Sequence, residues 1–212
     1  MRSVLIVNPK GGAGKTTVAT NLAGGLAAEG HNVLLWDIDR QRSALTWLAM
    51  RPADAPLIQR LDRREDEHSG RASEANWLVI DTPAGLHGKT LSQTLKHADK
   101  VLVPVQPSVF DMAATAAFLQ TLMDEKAVRK NHAFVGVVGV RVDPRTKAAA
   151  TLAAFLTQFD LPVLSYLRDS QIYPNAAFNG LSIFDLAPSL SGRDREQWTA
   201  VLEWLREGSR GG

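Results

Sequence analysis

No cysteine occurs in the 212 residues, so disulfide frameworks, zinc–thiolate centres and thiol nucleophiles are excluded, and a reducing cytoplasm fits. Long apolar runs are missing too. The nearest, Val101 to Val105, falls far short of the roughly 18 residues needed to span a bilayer. The apolar start Val4-Leu5-Ile6-Val7 meets Pro9-Lys10-Gly11-Gly12 too soon for a signal segment with its cleavage site. Neither sign of charge dominates: 24 Lys and Arg stand against 22 Asp and Glu, a net +2, so any basic patch must be local. The five histidines, His31, His68, His87, His97 and His132, have no i, i+4 ligand spacing and read as structural or surface residues. There is no internal repeat, and composition excludes collagen, coiled coil and bulk disorder. What is present, 45% hydrophobic residues with 16 glycines and 10 prolines, fits one compact soluble domain that buries roughly 70% of its unfolded surface without a metal or disulfide staple.

Arg2 to Val7 and Val33 to Trp36 are apolar, β-branched-rich runs, and the segment between them, Thr16 to Glu29, carries apolar residues at helical spacing and ends before Gly30. That pattern predicts strand, helix, strand. Further strands are expected at Trp77 to Ile80, Val101 to Val105, Phe134 to Val142 and Pro162 to Tyr166. Helices are expected near Leu86 to His97, Ala113 to Met123 and Ala148 to Phe159, with a last one over Arg195 to Glu207. Alternating β and α with continuous apolar strands implies a single α/β domain over residues 1–207: a mostly parallel twisted sheet with helices on both faces. Residues 51–76 break the pattern with mixed charges, including Arg51, Arg60, Arg63, Arg64, Glu65, Asp66 and Glu67; they read as a variable, solvated surface excursion. Residues 208–212 read as a frayed tail. Open α/β sheets bind ligands beyond the carboxyl ends of their strands, so the loops after each strand are where chemistry is expected.

The first such loop is Pro9-Lys10-Gly11-Gly12-Ala13-Gly14-Lys15-Thr16-Thr17, opening directly into a helix. Glycines let consecutive backbone N–H groups converge on phosphate oxygens, and the helix N-terminus adds its dipole. Lys15 neutralises β/γ-phosphate charge and Thr16 offers a hydroxyl to Mg²⁺, which makes this a P-loop. Proline stands at position 9, where the usual pattern begins with glycine.

Lys10-Gly11-Gly12-Ala13-Gly14-Lys15-Thr16-Thr17 resembles the deviant Walker A motif of the ParA/MinD family of ATPases, whose mark is the extra lysine, here Lys10. The resemblance implies a P-loop NTPase fold, ATP and Mg²⁺ as cofactors, and a homodimer sandwiching two ATP molecules, with Lys10 reaching the partner's nucleotide. Leu34-Leu35-Trp36-Asp37-Ile38-Asp39-Arg40-Gln41 is similar to the family's Asp-x-Asp-Pro-Gln switch, with arginine at the usual proline. By that likeness Asp39 orients the attacking water and Asp37 supports the Mg²⁺ shell; the alternative is two aspartates capping a turn. Trp77-Leu78-Val79-Ile80-Asp81-Thr82-Pro83 resembles a Walker B strand in which Asp81 holds Mg²⁺ through water, with Thr82 to Gly88 as a switch loop. Asp81 as an ordinary helix cap is the other reading. Val103-Pro104-Val105-Gln106-Pro107-Ser108 matches the family's fourth-strand exit and is expected to position the dimer-facing loop. The likeness extends to about Asp185, through Arg168-Asp169-Ser170-Gln171-Ile172-Tyr173, and makes Arg141, Gln171 and Tyr173 the adenine-contact candidates.

Phosphoryl transfer to water is mainly positioning and charge stabilisation, so Lys10, Lys15 and Asp39 are the expected catalytic residues. A monomer lacking the partner's Lys10 is an incomplete site, which would make ATP a dimerisation switch. Three outputs share such an engine: partition or cargo positioning on DNA, division-site regulation on membrane, and metabolic or cluster delivery. The last helix carries Glu196, Glu203 and Glu207, poor chemistry for a membrane anchor. Cluster-carrying relatives need paired cysteines. Residues 126–168 hold Lys126, Arg129, Lys130, Arg141, Arg145, Lys147 and Arg168 against Asp143 and Asp160. Arg129, Lys130, Arg145, Lys147 and Arg168 are therefore the candidate contacts to non-specific DNA. With the first strand at residue 2, no N-terminal DNA-reading domain is expected. The chain resembles small partition or cargo-positioning ATPases, cytoplasmic and nucleoid-associated, with a ParB-like adaptor stimulating hydrolysis. A MinD-like or metabolic ATPase acting on a protein or membrane partner without DNA is the alternative.

Overall fold

A computed structural model describes residues 1–62 and 75–207; Arg63, Arg64, Glu65, Asp66, Glu67 and the expected tail lie outside them. Its centre is a seven-stranded sheet formed by β1 (Arg2–Ile6), β2 (Val33–Asp37), β3 (Ile58–Arg60), β4 (Trp77–Asp81), β5 (Lys100–Val105), β6 (Phe134–Val142) and β7 (Val163–Arg168). The order is β3-β2-β4-β1-β5-β6-β7 and every pairing is parallel. Successive residues of a strand face opposite sides. Accordingly Val4 and Ile6 lie in one apolar core, and Leu5 and Val7 in a second across the sheet. Burial on both faces is why the strands read as unbroken apolar runs.

The helices are α1 (Lys15–Ala28), α2 (Ser43–Ala49), α3 (Gly88–Leu95), α4 (Val109–Asp124), α5 (Lys126–Arg129), α6 (Lys147–Leu156), α7 (Ile172–Ala177), α8 (Pro188–Glu196) and α9 (Thr199–Arg206), with a 3₁₀ turn at Ile183–Asp185. Two glycines interrupt α1, each costing about 1 kcal/mol of helix propensity relative to alanine. A Cβ at Gly24 would lie 2.2 Å from Ser182 Oγ, and one at Gly25 3.0 Å from the Phe184 ring. The pair lets the 3₁₀ turn pack directly on α1, where Asn21 accepts the Ile183 N–H at 2.9 Å.

Two expectations need correction. The excursion that begins at residue 51 is not wholly a solvated surface. Arg51 and Asp185 form a buried ion pair, Nη2 to Oδ1 at 2.7 Å, with side chains 5% and 3% exposed. Ile58–Arg60 then adds the edge strand β3, too short and too polar for periodicity to signal. The single last helix is two, α8 and α9, and the apolar face of α9, Val201, Leu202, Trp204 and Leu205, is buried in the core. Among the described residues no helix is long and apolar enough to cross a membrane.

Pro104 sits inside the central strand β5, where a missing N–H would normally break a ladder. Its carbonyl accepts from Asn8 Nδ2 at 2.8 Å, so the side without an N–H faces the point where β1 has already ended. The proline is tolerated because no partner strand remains there to be denied a bond.

Candidate nucleotide site

The loop from Asn8 to Gly14 leaves β1 at its carboxyl end and turns into α1. Gly12 and Gly14 have φ of 77° and 85°, left-handed values that favour glycine. A Cβ at Gly11 or Gly12 would meet nothing within 4 Å, so these glycines border open space. The first turn of α1 contains Lys15, Thr16 and Thr17, whose N–H groups have no partner within the helix. Asn8, itself fully buried, accepts the Lys10 N–H at 2.8 Å and donates to Thr115 Oγ1 of α4 at 3.1 Å. Lys15 Nζ donates to the Lys10 carbonyl at 2.9 Å, lying across the loop. Burial lowers its pKa, against the opposing pull of Asp81 and Asp39. Lys10 Nζ sits 3.3 Å from Asp111 Oδ2 and 5.8 Å from the centre of the Phe110 ring. Gln106 Nε2 donates to the Gly12 carbonyl, tying the β5 exit to the loop.

Two carboxylates end adjacent strands in register, Asp37 on β2 and Asp81 on β4. Asp81 is completely buried; its Oδ2 accepts from the Thr16 hydroxyl at 2.7 Å, and its Oδ1 has no hydrogen-bond partner among the described residues. Burial, with the negative charges of Asp37 and Asp39 adding to it against Thr16 and Lys15, pushes the acid up to about 7. A buried carboxylate oxygen with no partner among the described residues, beside a threonine hydroxyl at the phosphate loop, is a donor pair that could hold a hard divalent cation completed by water and phosphate oxygens. No group of three or more His, Asp or Glu able to hold a metal occurs among the described residues. The helix-cap reading of Asp81 is not what the geometry gives.

Asp37 does cap. Its Oδ1 accepts the Asp39 N–H at 2.9 Å, and its Oδ2 accepts those of Ala44 and Leu45 at 3.0 and 3.2 Å. Burial raises its pKa against these bonds. Asp39 is half-buried and its Oδ1 takes the Gln41 N–H at 3.0 Å. Arg42 follows at φ 52°, a left-handed conformation for a non-glycine residue of the kind found at functional turns. The loop after Asp81 docks on the phosphate loop through Gly85 N–H to the Pro9 carbonyl, 2.9 Å.

Beside Gly14 and Thr17 opens a cavity of about 380 Å³, lined among others by Val140, Arg141, Gln171, Tyr173, Pro174 and Trp198. All three adenine-contact candidates are there. Burial pushes the Tyr173 phenol up to about 12, so it stays protonated. Arg141, at φ 54°, lies where the β6–β7 register shifts.

The basic residues do not gather in one place. Arg129 and Lys130 precede β6 and Arg145 and Lys147 follow it, so its nine residues separate the two pairs by roughly 27 Å. Arg145 is engaged by Asp143 through Nε and Nη2 at 2.9 and 2.8 Å. Arg168 is no free surface cation: Asp194, outside the basic segment and fully buried, binds it through two bonds of 2.8 Å. It lines the cavity rather than the basic surface. Asp194 and Asp111 escape the reading of the sequence, and Asn8 enters it only within the run Asn8-Pro9-Lys10, with no role of its own; Asp111 lies near a quoted motif, but Asp194 lies in a helical segment with no local signature.

The model of the CobQ/CobB/MinD/ParA nucleotide binding domain matches residues 4–183. The carboxysome distribution maintenance protein A of Gloeobacter kilaueensis is 35% identical over 187 residues, 86% of this chain and 83% of its own. The chromosome-partitioning ATPase Soj of Thermus thermophilus is 30% identical over 189 residues, 74% of this chain and 76% of its own. Among solved structures, the MinD cell division protein of Aquifex aeolicus superposes with a TM-score of 0.76 at 16% identity, covering 100% of this chain and 99% of that one. An ATP complex of a Cyanothece McdA variant gives 0.70 at 19% identity, covering 95% and 96%.

Proposed function

Because the chain belongs to the CobQ/CobB/MinD/ParA family of nucleotide-binding domains, we propose that it is a slow Mg²⁺-dependent ATP hydrolase working as an ATP-dependent dimerisation switch. The observation that carries this reading is the partnerless Asp81 oxygen beside Thr16 at the mouth of the glycine loop. The loop amides of Gly11, Gly12, Ala13 and Gly14 and the first turn of α1 bind phosphate oxygens. Lys15 is already aimed across that loop and exchanges the Lys10 carbonyl for a phosphate oxygen. Thr16, through its hydroxyl, and Asp81, through water, would hold Mg²⁺, which would supply positive charge to the phosphates. Asp37 contributes to that shell through its charge, since its oxygens are occupied by backbone N–H groups. Asp39 orients the attacking water, and Lys10 completes the partner's site. The cavity bearing Arg141, Gln171 and Tyr173 takes the base.

The relatives named for carboxysome distribution and chromosome partitioning support a positioning role: the ATP-bound dimer binds DNA without sequence preference and moves a cargo, with a ParB-like adaptor stimulating hydrolysis in a cytoplasmic, nucleoid-associated cycle. Arg129, Lys130, Arg145 and Lys147 are its phosphate contacts; pairing of two protomers multiplies them. A DNA shift assay with ATP, ADP and no nucleotide, repeated at two salt concentrations, tests the role. An ATP-dependent shift that weakens steeply with salt is expected. The division of the basic residues between the two ends of β6 favours a second reading, a MinD-like or metabolic ATPase acting on a protein or membrane partner, and absence of a shift in any nucleotide state would select it.

A further inference from the structure

Asp194, Gln197 and Trp198 each grip the wall of the cavity beside the phosphate loop. Helical backbone continues through the end of α8, with Gln197 at φ −69° and Trp198 at φ −88°. Residues spaced i, i+3 and i+4 share one helix face. From that face Asp194 binds the Arg168 guanidinium through Nε and Nη2, both at 2.8 Å. Gln197 Oε1 accepts the Arg168 N–H at 3.0 Å. Trp198 Nε1 donates to the Tyr173 hydroxyl at 3.1 Å. Asp194 and Trp198 are fully buried, and Arg168, Tyr173 and Trp198 all line the cavity.

A paired, fully buried carboxylate holds a guanidinium in one orientation, because its fork geometry satisfies both oxygens at once. The end of β7 would otherwise be a strand terminus with a long, rotatable arginine. We infer that this face, carried by the end of α8 and the two residues that follow it, is a brace that fixes the shape of the base pocket, with Asp194 a positioning residue acting through Arg168 and Gln197 a second acting through the Arg168 backbone. The inference rests on the nucleotide reading above. It also ties the C-terminal helices to nucleotide occupancy, since what the pocket holds bears on residues that α8 grips.

The test separates base binding from phosphate binding. Affinities of ATP, GTP and inorganic tripolyphosphate, each with Mg²⁺, are measured by calorimetry for the parent, Asp194→Asn and Gln197→Ala. The brace predicts that ATP affinity falls about tenfold in Asp194→Asn and by less in Gln197→Ala, that the ATP-to-GTP preference narrows, and that tripolyphosphate, which has no base, binds as in the parent. Equal losses for ATP and tripolyphosphate, or no loss for either, would overturn it. Should Asp194→Asn fail to fold, Gln197→Ala decides alone, because Gln197 is only partly buried. A parent that binds tripolyphosphate but not ATP preferentially would instead remove the base-pocket reading itself.

Discussion

Lys15 reaches back across the phosphate loop to donate to the carbonyl of Lys10, 2.9 Å away, so the two lysines of the loop are already in register before any phosphate arrives. Burial has lowered the pKa of Lys15, and the charges of Asp81 and Asp39 resist that shift. An incoming phosphate adds a negative partner in direct contact with this ammonium. Lys15→Ala is therefore expected to weaken ATP binding by roughly 100-fold or more, about 2.7 kcal/mol. Calorimetry showing parental affinity in that variant would refute the role of the loop.

Asp39 stands apart from the Thr16–Asp81 pair: its Oδ1 accepts the Gln41 N–H, and its own N–H donates to the Asp37 carboxylate. Removing its carboxylate leaves the phosphate amides, Lys15 and Asp81 in place. Asp39→Ala should bind ATP within a few-fold of the parent while its turnover falls about 100-fold, the lower end for loss of a group that positions or deprotonates a nucleophile. If single-turnover rates are unchanged, the water is oriented by another group.

The phosphate loop, the strand-end carboxylates and the sheet were legible in the sequence because each is local: glycines at a strand–helix junction, apolar runs ending in aspartate. Asp37 was harder, since a switch aspartate and a capping aspartate look alike until the Ala44 and Leu45 N–H groups are seen on it. Arg168 reads as a DNA contact from the sequence because its neutralising partner lies 26 residues on, beyond any window of charge counting. Likewise Arg51 looked like part of a polar excursion, and only the fold brings Asp185 to it across a separation of 134 residues.

That pair gives a stability prediction. Burial by itself would raise the Asp185 pKa, but the Arg51 guanidinium and the Ser182 hydroxyl and N–H outweigh it, and the folded-state value is lowered. A depressed carboxylate contributes stability above its unfolded pKa and loses it as pH falls through the folded value. Thermal melts should thus show the parent losing Tm on acidification below the ordinary aspartate range, with a shallower slope in Asp185→Asn. Arg51→Met at neutral pH leaves a carboxylate buried without its partner and should cost about 3–5 kcal/mol. A loss under about 1 kcal/mol would mean that water reaches Asp185 when Arg51 is gone.

Lys10 tests the dimer switch. Its ammonium is held by Asp111, but the lysine side chain is 37% exposed and that of Asp111 11%. Only the lysine end of this pair is open and the carboxylate behind it is largely buried, so the contact parks Lys10 where a partner's phosphate has to compete with Asp111 for it. The main chain of Lys10 does a separate task, offering its N–H to Asn8 and its carbonyl to Lys15, and alanine preserves both bonds. Lys10→Ala should accordingly keep the loop and bind ATP within a few-fold of the parent, yet stay monomeric in sizing runs with a slowly hydrolysed ATP analogue that dimerises the parent. Turnover should fall with dimerisation rather than with affinity. An ATP-loaded dimer that forms and hydrolyses normally without the Lys10 ammonium would make each protomer a complete site and remove the switch.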